Sequence, residues 1–303
     1  MKILVTGGAG FLGSHVADAL SEAGHSVIIF DLLDSPYVNE CQSMIVGDIT
    51  VFQEISDAIK GCDVVYHLAA LADIDQALSQ PRKTMSVNVM GTLNVLEAAR
   101  EHSVKRLVFS SSIYVYSAQG SFYRTSKQAC ELLIQDYHER FGLDYTILRY
   151  GSLYGPRADS SNAVFKMVRS ALEDQHIEYP GNGKEVREYI HIRDAALMSA
   201  DVLADEFIGS ILHLTGRERM TTRELLEMVR EILGNKVEIS FGPADASSGH
   251  YMQTPYNYTP RLGRKMTRNT FIDLGLGILD VIQYLDNGAS KPANTYFDTE
   301  REE

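Results

Sequence analysis

Apolar residues fall in short, nearly unbroken runs through the first half of the chain. These are KILVTG (2–7), SVIIFD (26–31), SMIVGD (43–48), DVVYHLAA (63–70), RLVFSSS (106–112) and DYTILRY (144–150). Such runs, rich in β-branched residues and lacking a polar face, predict parallel strands covered on both sides. Between them stand stretches with helical spacing: FLGSHVADALSEAG (11–24), FQEISDAIKG (52–61) and MSVNVMGTLNVLEAAREH (85–102). Strand–helix alternation of this kind predicts an α/β protein built on a doubly wound parallel sheet. After about residue 155 the alternation loosens. SNAVFKMVRSALEDQ (161–175) and TTRELLEMVREILG (221–234) predict helices, the second capped by Thr221 or Thr222 with Glu224 close behind. Segment 242–268, rich in Gly, Pro, Ser and Tyr, predicts loop, and roughly the last fourteen residues a polar tail.

Composition narrows the classes without choosing one. The chain has 303 residues, 45% hydrophobic and 22% charged, enough for one large domain or two joined ones. No apolar run approaches the ~20 residues of a membrane span, and the amino terminus turns glycine-rich too early for a signal peptide. Cys41, Cys62 and Cys130 are scattered and odd in number, which argues against a disulfide framework and for a reducing cytoplasm. A formal charge of −12 argues against nucleic acid as a partner. An anionic small substrate would need a local cluster of arginines.

The first candidate chemistry is TGGAGFLG, Thr6 to Gly13, which follows the first predicted strand and opens the first helix. Gly7, Gly10 and Gly13 allow a tight turn, close approach to a pyrophosphate, and helix–strand packing. The helix amino terminus offers its unpaired N–H groups to the phosphates. Asp31 ends the second predicted strand, 18 residues after Gly13, where an acid holds the adenosine ribose hydroxyls. The residues after it, LLDSP, carry no Lys or Arg for a 2′-phosphate, which favours NAD over NADP. The bland alternative makes Asp31 a helix cap.

The second is SSSIYVYSAQGSFYRTSK, Ser110 to Lys127. Tyr123 and Lys127 are four apart and share one helix face. A phenol loses its proton near pH 10, too high for a base at neutral pH. An ammonium one turn away stabilises the phenolate and lowers that value. The bland alternative is a buried structural tyrosine.

With Gly7, Gly10, Gly13, Asp31, Ser112, Tyr123 and Lys127 in place, the chain resembles the extended short-chain dehydrogenase/reductase family. More narrowly, it resembles the NAD-dependent nucleotide-sugar epimerase/dehydratase branch, UDP-glucose/galactose 4-epimerases included. The resemblance runs from Met1 to about Asp201. It implies a Rossmann domain over 1–155, to which about 186–215 returns, and a smaller carboxy-terminal α/β substrate-binding lobe with a polar tail over 156–303. It implies that Phe11 and Leu12 lie in the pyrophosphate turn, that Asp48 and Ile49 flank adenine, and that Leu68, Ala69 and Ala70 run along the cofactor. Asn88, Ser110 and Tyr150 complete the implied cofactor set, Tyr150 against the nicotinamide. Lys127 would also hold the nicotinamide ribose. Ser112 would hydrogen-bond the reacting sugar hydroxyl, and Tyr123 would deprotonate it while hydride passes to NAD.

The reaction is read from the residues after Ser112. Dehydratases of this branch carry an Asp–Glu pair there and decarboxylases a glutamate; this chain has Ile113 and Tyr114. What remains is oxidation and reduction at one carbon. The resemblance therefore implies a nucleotide-sugar 4-epimerase, with an NAD(P)H-dependent 4-keto-sugar reductase or a non-enzymatic NAD-binding regulator as alternatives. Arg187 stands where relatives grip a substrate diphosphate, and Ser152 where they usually carry an asparagine. Arg157, Arg261 and Arg264 read better as solvated, and His191 and Asp194 as packed or capping. Tyr123 lies only 11 positions after Ser112, closer than in relatives, which predicts a more open sugar pocket with room for a larger or N-acylated sugar. The resemblance also implies a homodimer through helices at about 84–101 and 123–141.

Overall fold

The computed structural model describes residues 1–117, 119–217, 219–243, 263–267 and 269–286. Six strands coincide with the six apolar runs: β1 (Lys2–Thr6), β2 (Ser26–Asp31), β3 (Gln42–Val46), β4 (Val64–His67), β5 (Arg106–Ser112) and β6 (Asp144–Tyr150). Seven further strands follow: β7 (Ser152–Tyr154), β8 (His176–Tyr179), β9 (Val186–His191), β10 (Ser210–Leu214), β11 (Arg219–Thr221), β12 (Glu238–Phe241) and β13 (Arg264–Lys265). The main sheet has eight strands in the order β13-β10-β6-β5-β4-β1-β2-β3, every neighbouring pair parallel. The chain starts in mid-sheet, winds outward through β2 and β3, then returns to place β4 on the other side of β1. That reversal opens a crevice at the carboxyl ends of β1 and β4, where doubly wound sheets bind ligands.

The helices are α1 (Phe11–Glu22), α2 (Phe52–Ile59), α3 (Ile74–Ser79), α4 (Pro81–Met85), α5 (Gly91–Glu101), α6 (Ser121–Phe141), α7 (Ala163–Asp174), α8 (Ile192–Asp201), α9 (Thr222–Ile232) and α10 (Leu274–Asp286). Alternate strand residues feed two cores, which is why the strands lack a polar face. Leu4, Ile28, Phe30, Val65, Leu107 and Phe109 pack with Ile55 of α2, Leu96 of α5 and Ile134 of α6. Ile3, Val5, Val27, Ile29 and Val108 pack on the other side with Val16 and Leu20 of α1 and Ala195 and Met198 of α8. A third core joins Val168 of α7, Leu226 of α9 and Ile278 of α10 below Tyr154.

Local signals explain several boundaries. Thr221 caps α9 in a reciprocal box: the Glu224 N–H donates to Thr221 Oγ1 (3.2 Å) and the Thr221 N–H to Glu224 Oε2 (2.7 Å). Gly120 and Gly142, both with left-handed backbone, bracket the 21-residue helix α6. The helix predicted over 85–102 is interrupted: α4 runs into a π-turn, Ser86–Met90, before α5 resumes. The reading of 242–268 as loop is corrected at one point. Arg264 and Lys265 form β13, pairing with Leu212 and His213 on the edge that β10 leaves open. Residues 244–262, Arg261 among them, and the polar tail lie outside the described residues. No described helix is long and apolar enough to cross a membrane.

Candidate functional site

The glycine turn leaves β1 and enters α1 at the crevice. Gly7 has φ +71°, and a Cβ there would stand 2.6 Å from the Ala69 nitrogen on β4's exit. A Cβ on Gly13 would meet the Gly7 carbonyl at 2.0 Å. Both positions therefore require glycine if turn, helix and neighbouring strand are to touch. Gly10 caps α1 without a side-chain hydrogen bond, and the first turn, including Phe11 and Leu12, holds no acid. Its N–H groups face the crevice end uncontested by a carboxylate, which suits a bound pyrophosphate. At the end of β2 the Asp31 carboxylate accepts from the Ala9 N–H (2.9 Å) and the Leu32 N–H (2.7 Å). Those bonds turn an acid toward the glycine loop, as an adenosine ribose site requires. Asp48 accepts from the Thr50 N–H (2.7 Å), and the buried Ile49 fits against Gly91. The residues present thus fit NAD.

The exit of β4 is held from beneath. The buried His67 joins Thr6 Oγ1 (2.7 Å) to Thr92 Oγ1 (2.9 Å), and burial, then the Lys127 charge, pushes it down to about 3. This neutral ring locks Leu68, Ala69 and Ala70 beside the glycine turn. Asn88, on the π-turn, has its amide engaged on three sides. Its Oδ1 accepts from the Leu71 N–H (2.7 Å), and its Nδ2 donates to the Leu71 carbonyl (3.1 Å) and to Ser126 Oγ (2.9 Å). The extra residue of the π-turn aims this side chain across to α6.

Ser112 ends β5, and Tyr123 and Lys127 lie on the first turns of α6. The Lys127 Nζ donates to the Ser110 carbonyl (2.7 Å) and stands 4.8 Å from the Phe109 ring centroid and 5.8 Å from that of Tyr123. Burial lowers Lys127 to about 8, opposed by the Cys130 and Glu131 charges. Burial pushes the half-buried Tyr123 up to about 12, opposed by hydrogen bonding with Ser112. Serine, phenol and ammonium therefore converge at one strand end, beside the crevice. The short connection is partly helical. It folds as a 3₁₀ turn, Ile113–Tyr116, capped by Ser112, whose Oγ accepts from the Tyr114 N–H (3.3 Å). The Tyr114 ring meets Tyr123 edge-on at 6.3 Å. Gly120, at φ +94°, passes under it; a Cβ there would stand 2.6 Å from Tyr114 Cδ1.

Behind the triad runs a chain of buried polar groups that sequence reasoning missed. Ser111 Oγ donates to Glu131 Oε1 (2.5 Å). Arg149 grips both carboxylate oxygens, Nε to Oε1 at 2.9 Å and Nη2 to Oε2 at 2.5 Å. Arg149 Nη1 donates to the Tyr116 hydroxyl (2.5 Å), which lies 2.7 Å from His213 Nε2. A glutamate one turn after Lys127 was the available signal. Tyr150 commits its hydroxyl to Ser199 Oγ of α8 (2.6 Å), so its ring and backbone, not its phenol, are what it offers at the strand end.

The substrate-side residues are less converged. Ser152 on β7 is half-buried beside β9, which carries Arg187; the Arg187 Nη1 donates to the Val186 carbonyl (3.3 Å). Arg157, read as solvated, is instead paired with Asp18 (2.8 Å) and stacked 4.5 Å above the Tyr37 ring. Arg264 is exposed on β13. His191 is buried and caps α8, its Nδ1 accepting from the Arg193 N–H (3.4 Å), and Asp194 Oδ2 accepts from the Ile272 N–H (2.8 Å). A cavity of about 40 Å³ lies beside them, lined by Tyr154, Tyr189, Thr215 and Phe271 among others.

Known proteins similar to this chain are numerous. The UDP-glucuronate 4-epimerase of Thermodesulfobacterium geofontis is 29% identical over 276 residues, covering 80% of this chain and 84% of that protein. The Thermus thermophilus UDP-glucose 4-epimerase, solved in complex with NAD, superposes with a TM-score of 0.81 at 27% identity, covering 94% of this chain and 99% of that one. The Bacillus cereus UDP-glucuronic acid 4-epimerase, solved with UDP-glucuronic acid and NAD, gives 0.79 at 26% identity, with 95% and 99% covered. Decarboxylases and a dehydratase of nucleotide sugars also stand among the relatives. The model of one family spans residues 3–209, glycine turn, serine, tyrosine and lysine included, and the chain belongs to that family, the NAD dependent epimerase/dehydratases.

Proposed function

We propose that the protein is a nucleotide-sugar 4-epimerase that reversibly oxidises the sugar C4 hydroxyl through a 4-keto intermediate. The observation that carries the reading is the strand end itself: Ser112, Tyr123 and Lys127 converge there, and the two residues after Ser112 are Ile113 and Tyr114, which offer no carboxyl group. Dehydration or decarboxylation at this point would need an acid or base that the site does not supply. NAD, when bound, supplies the acceptor and later the donor of hydride. Tyr123 takes the proton from the C4 hydroxyl, Ser112 holds that hydroxyl by a hydrogen bond, and the Lys127 ammonium steadies the phenolate. Asp31 binds the adenosine ribose, and the α1 amino terminus binds the pyrophosphate. Arg187 and Ser152 face the substrate diphosphate. The similarity to epimerases solved with UDP-sugars supports a nucleotide-diphosphate hexose or hexuronic acid as substrate.

The same reading pairs two copies through the helical stretch 84–101, which includes the π-turn and α5, and through α6. Met90 is 52% exposed, Leu132 53% and Phe141 55%, apolar side chains that a four-helix contact would cover. The test of function is incubation with a panel of nucleotide hexoses and hexuronic acids, no cofactor added, followed by anion-exchange separation and NMR. A C4 epimer without net NADH is the expected result. Turnover of a 4-keto sugar only when NADH is supplied would replace the epimerase by a reductase, which uses the same three residues.

A further inference from the structure

Glu131 and Arg149 are a charged pair with side chains 4% and 0% exposed, and no step assigned to the triad uses them. Burying both ions costs several kcal/mol each, so a pair like this is a poor device for stability alone. Its place in the fold is specific. Lys127 crosses from α6 to the Ser110 carbonyl of β5; one helical turn later, Glu131 crosses from α6 to the Ser111 hydroxyl. The two bonds are parallel crossbars between the helix that carries Tyr123 and the strand that ends in Ser112. Arg149 extends the second crossbar to β6, which pairs with β5 residue for residue, Ser111 opposite Arg149 and Ser112 opposite Tyr150. Through Tyr116 it reaches the end of the 3₁₀ turn whose Tyr114 ring rests on Tyr123. Gln128 adds a tie from α6 to the same turn, its Nε2 donating to the Val115 carbonyl (2.8 Å). β5, β6, α6 and the 3₁₀ turn are thus all tied to this carboxylate or its guanidinium partner.

We propose that the buried Glu131–Arg149 pair is the positioning unit of the active centre, locking β5, β6 and α6 in the alignment that sets Ser112 and Lys127 against Tyr123. The pair touches neither cofactor nor substrate and acts through the residues it holds. A carboxylate gripped by a planar fork permits one geometry, whereas apolar side chains of equal volume permit several. The proposal rests on the epimerase reading for its kinetic test and on geometry alone for its second readout.

The test replaces the pair together, Glu131→Leu with Arg149→Met, so that no buried charge is left unpartnered. The variant is expected to fold and bind NAD with a dissociation constant within about threefold of wild type, since such swaps are often neutral in stability. With UDP-galactose, kcat is expected to fall on the order of 10²-fold, the cost of a misplacement near 1 Å, while KM stays within about threefold. Unchanged kcat with an altered melting temperature would make the pair merely structural and overturn the proposal. Should the double variant not fold, Ser111→Ala cuts the single crossbar and lowers kcat roughly three- to tenfold; no change would overturn the proposal equally. The second readout needs no substrate: acylation of Lys127 by acetic anhydride, followed by peptide mass spectrometry against the exposed Lys236. Lys127 is expected to react at least about fivefold faster once the crossbar is gone, as a lost hydrogen bond allows. If the wild type epimerises nothing, the functional reading fails and the acylation rate alone decides; an unchanged rate then overturns the positioning role.

Discussion

Replacing Lys127 by methionine removes one charge and keeps the bulk of the stem, and the structure says what that charge does. Its Nζ stands 5.8 Å from the centre of the Tyr123 ring. At an effective dielectric constant of about 20, a unit charge at that distance stabilises a phenolate by roughly 2.9 kcal/mol, or about two pKa units. Burial holds Tyr123 at about 12, a value met when Lys127, at about 8, has already given up its proton. While the ammonium is present, its attraction makes the phenolate easier to form. The wild-type turnover rate at saturating NAD and sugar therefore rises about tenfold per pH unit up to about 8, with phenolate population. Above about 8 it levels, because each gain in phenolate is cancelled by loss of the ammonium that supports it. Lys127→Met lowers the rate about 10²-fold at pH 7, and its profile climbs past 8 without levelling. The assay is the initial rate of UDP-galactose conversion between pH 6 and 9.5, read by coupled oxidation of the UDP-glucose product. A variant rate within about threefold of wild type at pH 7, or a variant that still levels near 8, would refute the assignment of the charge to Tyr123.

The other predictions concern the cofactor cradle and the buried histidines. Gly13→Ala forces a methyl to within 2.0 Å of the Gly7 carbonyl, backbone against backbone, so α1 must shift. NAD affinity by calorimetry should fall more than about tenfold with a loss of 1–3 kcal/mol in stability, whereas Gly24→Ala, with open space around it, should leave affinity intact. Asp31→Ala removes the ribose acceptor and should weaken NAD about 10- to 100-fold, the range of a charge-assisted hydrogen bond, without a matching gain for NADP, because no arginine or lysine follows it within LLDSP. Burial holds His67 down to about 3 and His15, His191 and His213 down to about 4. The unfolded chain binds protons near 6.5 that the folded one refuses, so the stability is complete above that pH and declines as pH falls toward 4. Urea unfolding at pH 7.5 and 5.0 should show this loss, approaching about 1.4 kcal/mol per pH unit for each such histidine. His67→Asn should flatten the slope by one proton's worth.

The sequence by itself determined the half of this protein whose contacts are local or periodic. Strands buried on both faces must be apolar throughout, so β1, β2, β4, β5 and β6 were legible as runs, and the edge strand β3 shared the pattern although its Ile45 and Val46 are exposed. A turn that brings backbone against backbone admits only glycine, so Gly7 and Gly13 marked the crevice. A helix places residues four apart on one face, so Tyr123 and Lys127 declared each other. Tertiary structure decided what no local period encodes. That β10 and β13 extend the sheet beyond β6 follows from parallel pairing at long separation, which leaves no pattern in either segment. The π-turn at Asn88 answers to Ser126, a residue 38 positions away, and not to the helical spacing around it. Nor does the length of the connection from Ser112 to Tyr123 say that its Tyr114 ring stands edge-on to Tyr123, 6.3 Å away. In the sequence Arg149 is one charge within the apolar run DYTILRY; only the fold brought it to Glu131 and Ser111, because a buried ion pair is defined by three-dimensional distance and not by separation along the chain.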